Sequence, residues 1–225
     1  MTDRALVVLS GGQDSTTCLY WALHRFGRDN VESVTFDYGQ RHRIEIECAR
    51  RIAEDAGVPH VVLPIDTFAA LGGNALTDSS VDVPDTDPAG SGLPATFVPG
   101  RNLVFLTYAA AWGWRRGIGH LVTGVAQTDY SGYPDCRRDT IDALERALKL
   151  GLERDLTIHT PLSSLSKKQT VLLARELGAL DAMRFTHTCY RGQRPPCGVC
   201  AACRLRARGF AEAGVIDPLV ESPGV

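Results

Sequence analysis

At 225 residues, 44% hydrophobic and 22% charged, the chain is long enough for a substantial core and too apolar to be mainly disordered. A formal net charge of −2 gives no electrostatic case for gripping a long polyanion, so no nucleic-acid partner is expected. The longest apolar run, residues 102–113, is too short to cross a bilayer and no signal-peptide pattern precedes it, so no membrane partner and a cytoplasmic location are expected.

In chain order, the pattern predicts strands at 5–9, 33–38, 60–64, 120–123 and 157–159. Helices are expected at 16–26, 43–56, 102–115, 140–150 and 167–178. Several of the strands are continuous apolar runs, as when helices cover both faces of a sheet. The alternation implies an α/β fold with a Rossmann-like, doubly wound, mostly parallel sheet. Ligands bind such sheets at the carboxyl ends of the strands. Residues 72–99 break the pattern. They are rich in Gly, Pro, Ser and Asp, carry Asp78, Asp82, Asp85 and Asp87, and hold no Lys or Arg. The stretch reads either as a mobile loop beside the site or as plain disorder.

The first strand runs into Ser10-Gly11-Gly12-Gln13-Asp14-Ser15-Thr16-Thr17. Paired glycines bring backbone N–H groups close to an anion, and the helix start adds the positive end of its dipole. Ser10, Ser15 and Thr16 add hydroxyls, and Asp14 suits a magnesium ion or its waters. The chain has neither a G-x-x-x-x-G-K-[ST] loop nor a G-x-G-x-x-G turn. The S-G-G-x-D-S pattern instead resembles the pyrophosphate loop of enzymes that cleave ATP between its α- and β-phosphates. A Gly-Gly turn with a Ser/Asp cap is the plain structural alternative.

Cys189, Cys197, Cys200 and Cys203 form C-x7-C-x2-C-x2-C. Four thiolates close a tetrahedral coordination sphere, so the site would be structural, with zinc favoured and an iron–sulfur cluster as the competitor. Six arginines (184, 191, 194, 204, 206, 208) surround it without an acid between Arg184 and Ala211. Some are expected to balance the thiolates and others to meet an anionic ligand. Cys18 and Cys48 read as buried apolar residues, whereas Cys136 could line a pocket.

Other strand-end residues complete a candidate site. Tyr38, Gln40 and Arg41 follow the second strand, with Tyr38 suited to stacking and Arg41 to phosphate. Arg101 opens a helix and suits phosphate or carboxylate. The stretch Asp129-Tyr130-Ser131-Gly132-Tyr133-Pro134-Asp135 offers aromatic faces and carboxylates to a flat heterocycle. Lys167 opens the last predicted helix and could follow a departing pyrophosphate, with Lys168 as its competitor.

Together these motifs resemble the 7-cyano-7-deazaguanine synthases, the nitrile-forming enzymes of the queuosine precursor pathway, over nearly the whole chain. The resemblance implies an adenine-nucleotide-hydrolase-like domain at 1–180 and a zinc-stapled region at 181–225, packed together, often as a homodimer. It places ATP on Leu9, Ser10, Gly11, Gly12, Gln13, Asp14, Ser15, Thr16, Thr17, Cys18 and Leu19, and one structural zinc on the four cysteines. Asp14, Ser15 and Lys167 become the candidate catalytic residues. Tyr38, Gln40, Arg41, Arg101, Asp129, Tyr130, Tyr133 and Asp135 become candidates for binding 7-carboxy-7-deazaguanine. Implied co-reactants are ATP with Mg2+ and free ammonia, since no glutaminase nucleophile is visible. One departure is Lys168-Gln169, where the family often has Ala-Glu. The rival readings are a tRNA-thiolating or other amide-forming enzyme with the same loop, and a zinc-containing nucleic-acid regulator.

Overall fold

In a computed structural model of the protein, residues 3–78, 80–85, 93–126 and 133–221 are described. Strands β1 (Ala5–Val8), β2 (Val31–Asp37), β3 (His60–Pro64), β4 (His120–Val122) and β5 (Thr157–His159) form one parallel sheet in the order β3-β2-β1-β4-β5. The helices are α1 (Gln13–Phe26), α2 (Ile44–Ala56), α3 (Thr67–Leu71), α4 (Arg101–Arg115), α5 (Arg138–Leu152), α6 (Lys167–Glu176), α7 (Ala201–Ala213) and α8 (Pro218–Glu221).

Side chains along β1 alternate between two cores, as strand geometry requires. Leu6 joins Val34, Leu121 and residues of α4 and α5, including Leu106 and Ile141. Ala5, Val7 and Leu9 join Leu19 and Ala22 of α1 and Ile52 of α2. Both faces of the sheet are therefore covered, which is why its strands read as unbroken apolar runs. From β1 the chain first builds toward β2 and β3, then returns to place β4 on the other side of β1. That reversal opens a crevice beyond the carboxyl ends of β1 and β4.

Three expectations need correction. Helix α1 starts at Gln13 rather than residue 16, because Gly12 O accepts the Thr16 N–H at 3.1 Å and so closes the first turn inside the glycine motif. The segment 72–99 is not a loose loop over its described part. Asn74 is buried and its Oδ1 accepts from the N–H groups of Leu76 and Thr77, while Leu76 and Val98 enter the core. Arg41 ties the segment down by donating to Asp78 O and Val81 O. Residues 79 and 86–92, with Asp87, lie outside the described residues. Finally, α7 lies in the region expected to be zinc-stapled and is not among the expected helices. It packs on α6 through Phe210 with Val171, Ala174 and Met183. No helix among the described residues is long and apolar enough to cross a membrane.

Candidate active site

The crevice is a cavity of about 670 Å³ bounded by the phosphate turn, the ends of β2 and β4, α4, Lys167 and α7. Its floor is the turn between β1 and α1. Gly11 has φ +85°, and a side chain there would overlap Glu45 O and come within 2.9 Å of Ala49 N. Only glycine lets the turn lie this close on α2. Ser15 knits the turn together: its hydroxyl accepts the Ser10 N–H, meets Ser10 Oγ at 3.0 Å and donates to Gly12 O at 3.1 Å. Gly124, after β4, packs on the same helix start, where a Cβ would sit 3.0 Å from Ser15 N. The N–H groups of the first α1 turn thus meet a preformed anion-sized hollow.

The eleven expected ATP-loop residues divide in two. Leu9, Ser10, Gly12, Gln13, Asp14 and Ser15 line the cavity. The others work from behind it. Thr16 and Thr17 donate to Gly12 O and Gln13 O, and Cys18 and Leu19 are core residues. Gln13 is 3% exposed, and its Nε2 has no hydrogen-bond partner. A buried amide left unpaired is costly unless a ligand meets it.

Lys167 Nζ lies 3.0 and 2.8 Å from the two Asp14 carboxylate oxygens, although the residues are 153 apart in sequence. Helix α6 is started by a reciprocal cap, in which Ser166 Oγ accepts the Gln169 N–H and Gln169 Oε1 accepts the Ser166 N–H. Glutamine serves as well as glutamate in that role, so the Lys168-Gln169 departure leaves the cap intact. Gly209 of α7 makes room for the lysine, since a side chain there would overlap Lys167 Cγ.

Across the cavity the wall turns aromatic. Tyr38, Phe105 and Tyr133 line it with Arg101, whose Cζ lies 5.7 Å from the Tyr38 ring centre and whose Nη1 donates to Tyr38 Oη at 3.3 Å. Burial pushes the Tyr38 phenol up to about 12. Burial works against the Arg101 charge, but Tyr38, Tyr133, Tyr190 and Asp135 outweigh it and hold the guanidinium above its ordinary value. No carboxylate among the described residues forms an ion pair with Arg101. Asn102 Nδ2 donates to Cys136 Sγ at 3.3 Å, and both residues line the cavity.

The remaining expected substrate residues sit elsewhere. Gln40 is buried and plugs its own turn, accepting the Tyr38 N–H and donating to Phe36 O and Glu45. Arg41 holds Asp78 and Val81 as described, away from the cavity lining. Asp135 is buried off the lining and accepts the Asn102 N–H at 2.9 Å, serving the positive end of α4. Asp129 and Tyr130, with Ser131 and Gly132, lie outside the described residues. Sequence reasoning passed over His187, Thr188, Tyr190 and the pocket face of α7. These come from the far end of the chain, and no motif marks His187, Thr188 or Tyr190, whereas on α7 the sequence singles out only the arginines, as candidates to meet an anion.

The ligand atoms of Cys189, Cys197, Cys200 and Cys203 all lie within 4.8 Å of one another, so the cluster could bind a metal ion. Cys200 precedes α7 as its N-cap and Cys203 stands in its first turn. Within the cluster, the hydrogen bond between Cys203 and Cys200 draws the Cys200 thiol below its ordinary range and pushes the Cys203 thiol above its own. The cluster is bolted to the phosphate turn: His187 N–H donates to Gly11 O and His187 Nε2 meets Cys189 O, each at 2.9 Å. Four of the six arginines expected to balance the thiolates or meet an anion have other partners. Arg191 pairs with Asp85, Arg206 with Asp217 and Arg208 with Glu212, and Arg194 reaches Cys48.

A parallel sheet ordered 3-2-1-4-5, with a glycine-built anion turn after its first strand and an acid–lysine pair beside it, defines an α/β nucleotide-binding protein of the pyrophosphate-loop class. Residues 4–214 match the family model described as "Queuosine biosynthesis protein QueC", and the chain belongs to that family. It is 67% identical to the 7-cyano-7-deazaguanine synthase of Chromobacterium violaceum, covering 97% of this chain and 94% of that one. Identity to the Laribacter hongkongensis 7-cyano-7-deazaguanine synthase is 66% over the same shares. The Caulobacter sp. protein of that name is 49% identical, covering 93% and 90%. A solved structure titled a predicted subunit of tRNA methyltransferase from Methanocaldococcus jannaschii matches with TM-score 0.50 and 21% identity, over 77% and 74% of the two chains. That likeness concerns the fold alone.

Proposed function

We propose that the chain converts 7-carboxy-7-deazaguanine and ammonia to 7-cyano-7-deazaguanine with ATP. The observation that carries this reading is one cavity with two unlike walls. A neutral-donor phosphate turn shares the cavity with a partly buried guanidinium set among aromatic rings, which suits a triphosphate on one side and a flat heterocyclic carboxylate on the other. The relatives' shared name supplies the product, 7-cyano-7-deazaguanine, and the carboxylate substrate follows from the resemblance to that family.

The chemistry then follows from the parts. A carboxylate oxygen bonds to the α-phosphorus of ATP as the bond to the β-phosphate oxygen breaks, giving an acyl adenylate and pyrophosphate. Ammonia adds to the acyl carbon, loses a proton and expels AMP, leaving the amide. The amide oxygen then bonds to the α-phosphorus of a second ATP, releasing pyrophosphate and a proton, and loss of AMP with the remaining N–H proton leaves the nitrile. Arg101 orients the carboxylate, and the turn of Ser10, Gly12 and Ser15 orients the phosphates. Lys167 meets negative charge as pyrophosphate departs, so positioning and charge stabilisation provide most of the acceleration. Asp14 holds Lys167 in place, and its remaining lone pairs suit the Mg2+ that accompanies ATP. Asp135 supports the start of α4 and so acts on substrate through Arg101 and Asn102. Gln40 and Arg41 likewise act by shaping the turn that carries Tyr38. The roles proposed for Asp129 and Tyr130 rest on the resemblance alone.

The four thiols, three of them buried, fit one structural Zn2+ per chain, with no position left for water. Contacts of His187 with Gly11 and of Arg191 with Asp85 support reading 181–225 as a region packed on the 1–180 domain. A homodimer and a cytoplasmic location complete the reading. Half-exposed Tyr108 and Trp114 on α4 give a dimer an apolar face to cover. Mass analysis of products from ATP, ammonium and 7-carboxy-7-deazaguanine tests the whole. The nitrile with AMP is expected, and unchanged carboxylate would refute it.

A further inference from the structure

Five cations line the cavity: Arg101, Lys167, Arg204, Arg206 and Arg208. Three of them are neutralised within the protein. Lys167 lies on Asp14, Arg206 on Asp217 at 2.6 and 2.8 Å, and Arg208 on Glu212 at 2.6 Å. Arg101 belongs to the aromatic wall. Arg204 remains: it is exposed, and among the described residues its side chain has neither an ion pair nor a hydrogen bond.

Its position is fixed by its helix. Ala201, Arg204, Leu205 and Arg208 are spaced i, i+3, i+4, i+7, which is one face of α7, and all four line the cavity. That helix is held at three points. Cys200 and Cys203 fix its start, the buried Arg206 bonds Asp217, Thr186 and Thr188, and Gly209 rests on the Lys167 stem. The wall that carries Arg204 therefore adjoins the Lys167–Asp14 pair and, through it, the phosphate turn.

The charge balance on that side is incomplete. The turn offers N–H groups and hydroxyls, and the Lys167 charge is offset by Asp14. A triphosphate brings several negative charges, more of them on its β- and γ-groups than at the α-phosphorus. We propose that Arg204 binds the β- and γ-phosphates of ATP, and hence the departing pyrophosphate, as a second cationic jaw facing the phosphate turn. A guanidinium suits this through its paired donors, and charge developing on the leaving group strengthens the contact in the transition state. The inference rests on the nucleotide half of the proposed function and not on the identity of the acceptor.

The test is equilibrium binding of inorganic pyrophosphate, ATP and AMP, with magnesium present, to the wild-type chain and to Arg204→Ala and Arg204→Lys. Arg204 is exposed, so circular dichroism and the melting temperature should match wild type. Arg204→Ala should weaken pyrophosphate and ATP about tenfold, roughly 1.4 kcal/mol, with AMP within twofold, and Arg204→Lys should recover part of the loss. Salt should weaken pyrophosphate binding less steeply in Arg204→Ala than in wild type. Pyrophosphate and ATP affinities within twofold of wild type would overturn the proposal, as would an equal loss for AMP. If the variant shows the expected binding pattern while the wild type leaves the carboxylate unchanged, the phosphate jaw stands and the acceptor reading fails.

Discussion

The phosphate turn at 10–15 and the four-cysteine segment at 189–203 meet through His187, yet they are built in opposite ways. The turn is shaped by backbone: glycine packing on α2, hydroxyls bonded to neighbouring carbonyls, and helix N–H groups left over for a ligand. The cysteine segment is shaped by side chains, four sulfurs converging at the start of α7. One is a preformed hollow whose donors are reserved for function. The other is a clamp whose consequence is the position of α7. Damage to the first should remove chemistry and leave the fold, and damage to the second should do the reverse.

Asp14→Asn is the sharpest cut on the functional side. An amide offers Lys167 one neutral acceptor in place of two charged ones and organises a magnesium ion poorly, so turnover should fall at least about a hundredfold, roughly 2.7 kcal/mol, with a melting temperature close to wild type. Turnover within about threefold would break the comparison. Gly11→Ala should erase the distinction at one position. The new methyl overlaps Glu45 O, so urea unfolding should show a loss of about 1–3 kcal/mol together with weak ATP binding. On the other side, Cys189→Ser should lose metal by elemental analysis and melt well below wild type. Full metal content and a normal melt would remove Cys189 from the ligand set.

Smaller effects sharpen the two walls of the cavity. Arg101→Gln should raise the Michaelis constant for the carboxylate substrate about tenfold, roughly 1.4 kcal/mol, while ATP affinity by equilibrium binding stays within about twofold. The reverse pattern would put the nucleotide on the aromatic wall. The smallest effect concerns the sheet rather than the site. Burial lowers the His60 imidazole to about 4 from its usual 6.5. Between those values the unfolded chain binds more protons, so this contribution to stability is complete above about pH 6.5 and is lost as pH falls toward 4. His60→Gln should flatten the dependence of the melting temperature on pH across that window.

What the sequence revealed follows from how far each interaction reaches. Strand runs, the glycine turn and the cysteine spacing are local patterns, and each stands in the structure. Helix α7 has a local signature as well: an Ala-, Leu- and Arg-rich run closed by left-handed Gly214. Its cysteines and arginines drew the reading toward metal instead. The Lys167–Asp14 contact spans 153 positions, and only the crossover topology brings the two ends together. Asp135 and Gln40 show the opposite limit. A polar residue in a promising loop looks the same in sequence whether it faces a ligand or, as here, satisfies buried backbone groups.

The central claim is that this cavity spends ATP at its α-phosphorus to remove the substrate's oxygens. Turnover of 7-carboxy-7-deazaguanine carrying 18O in both carboxylate positions tests it directly, with mass analysis of every phosphorus-containing product. The account predicts that the label appears in AMP, one atom per AMP released, with unlabelled pyrophosphate and a nitrile free of oxygen label. Label in inorganic phosphate or pyrophosphate, or AMP without label, would contradict it.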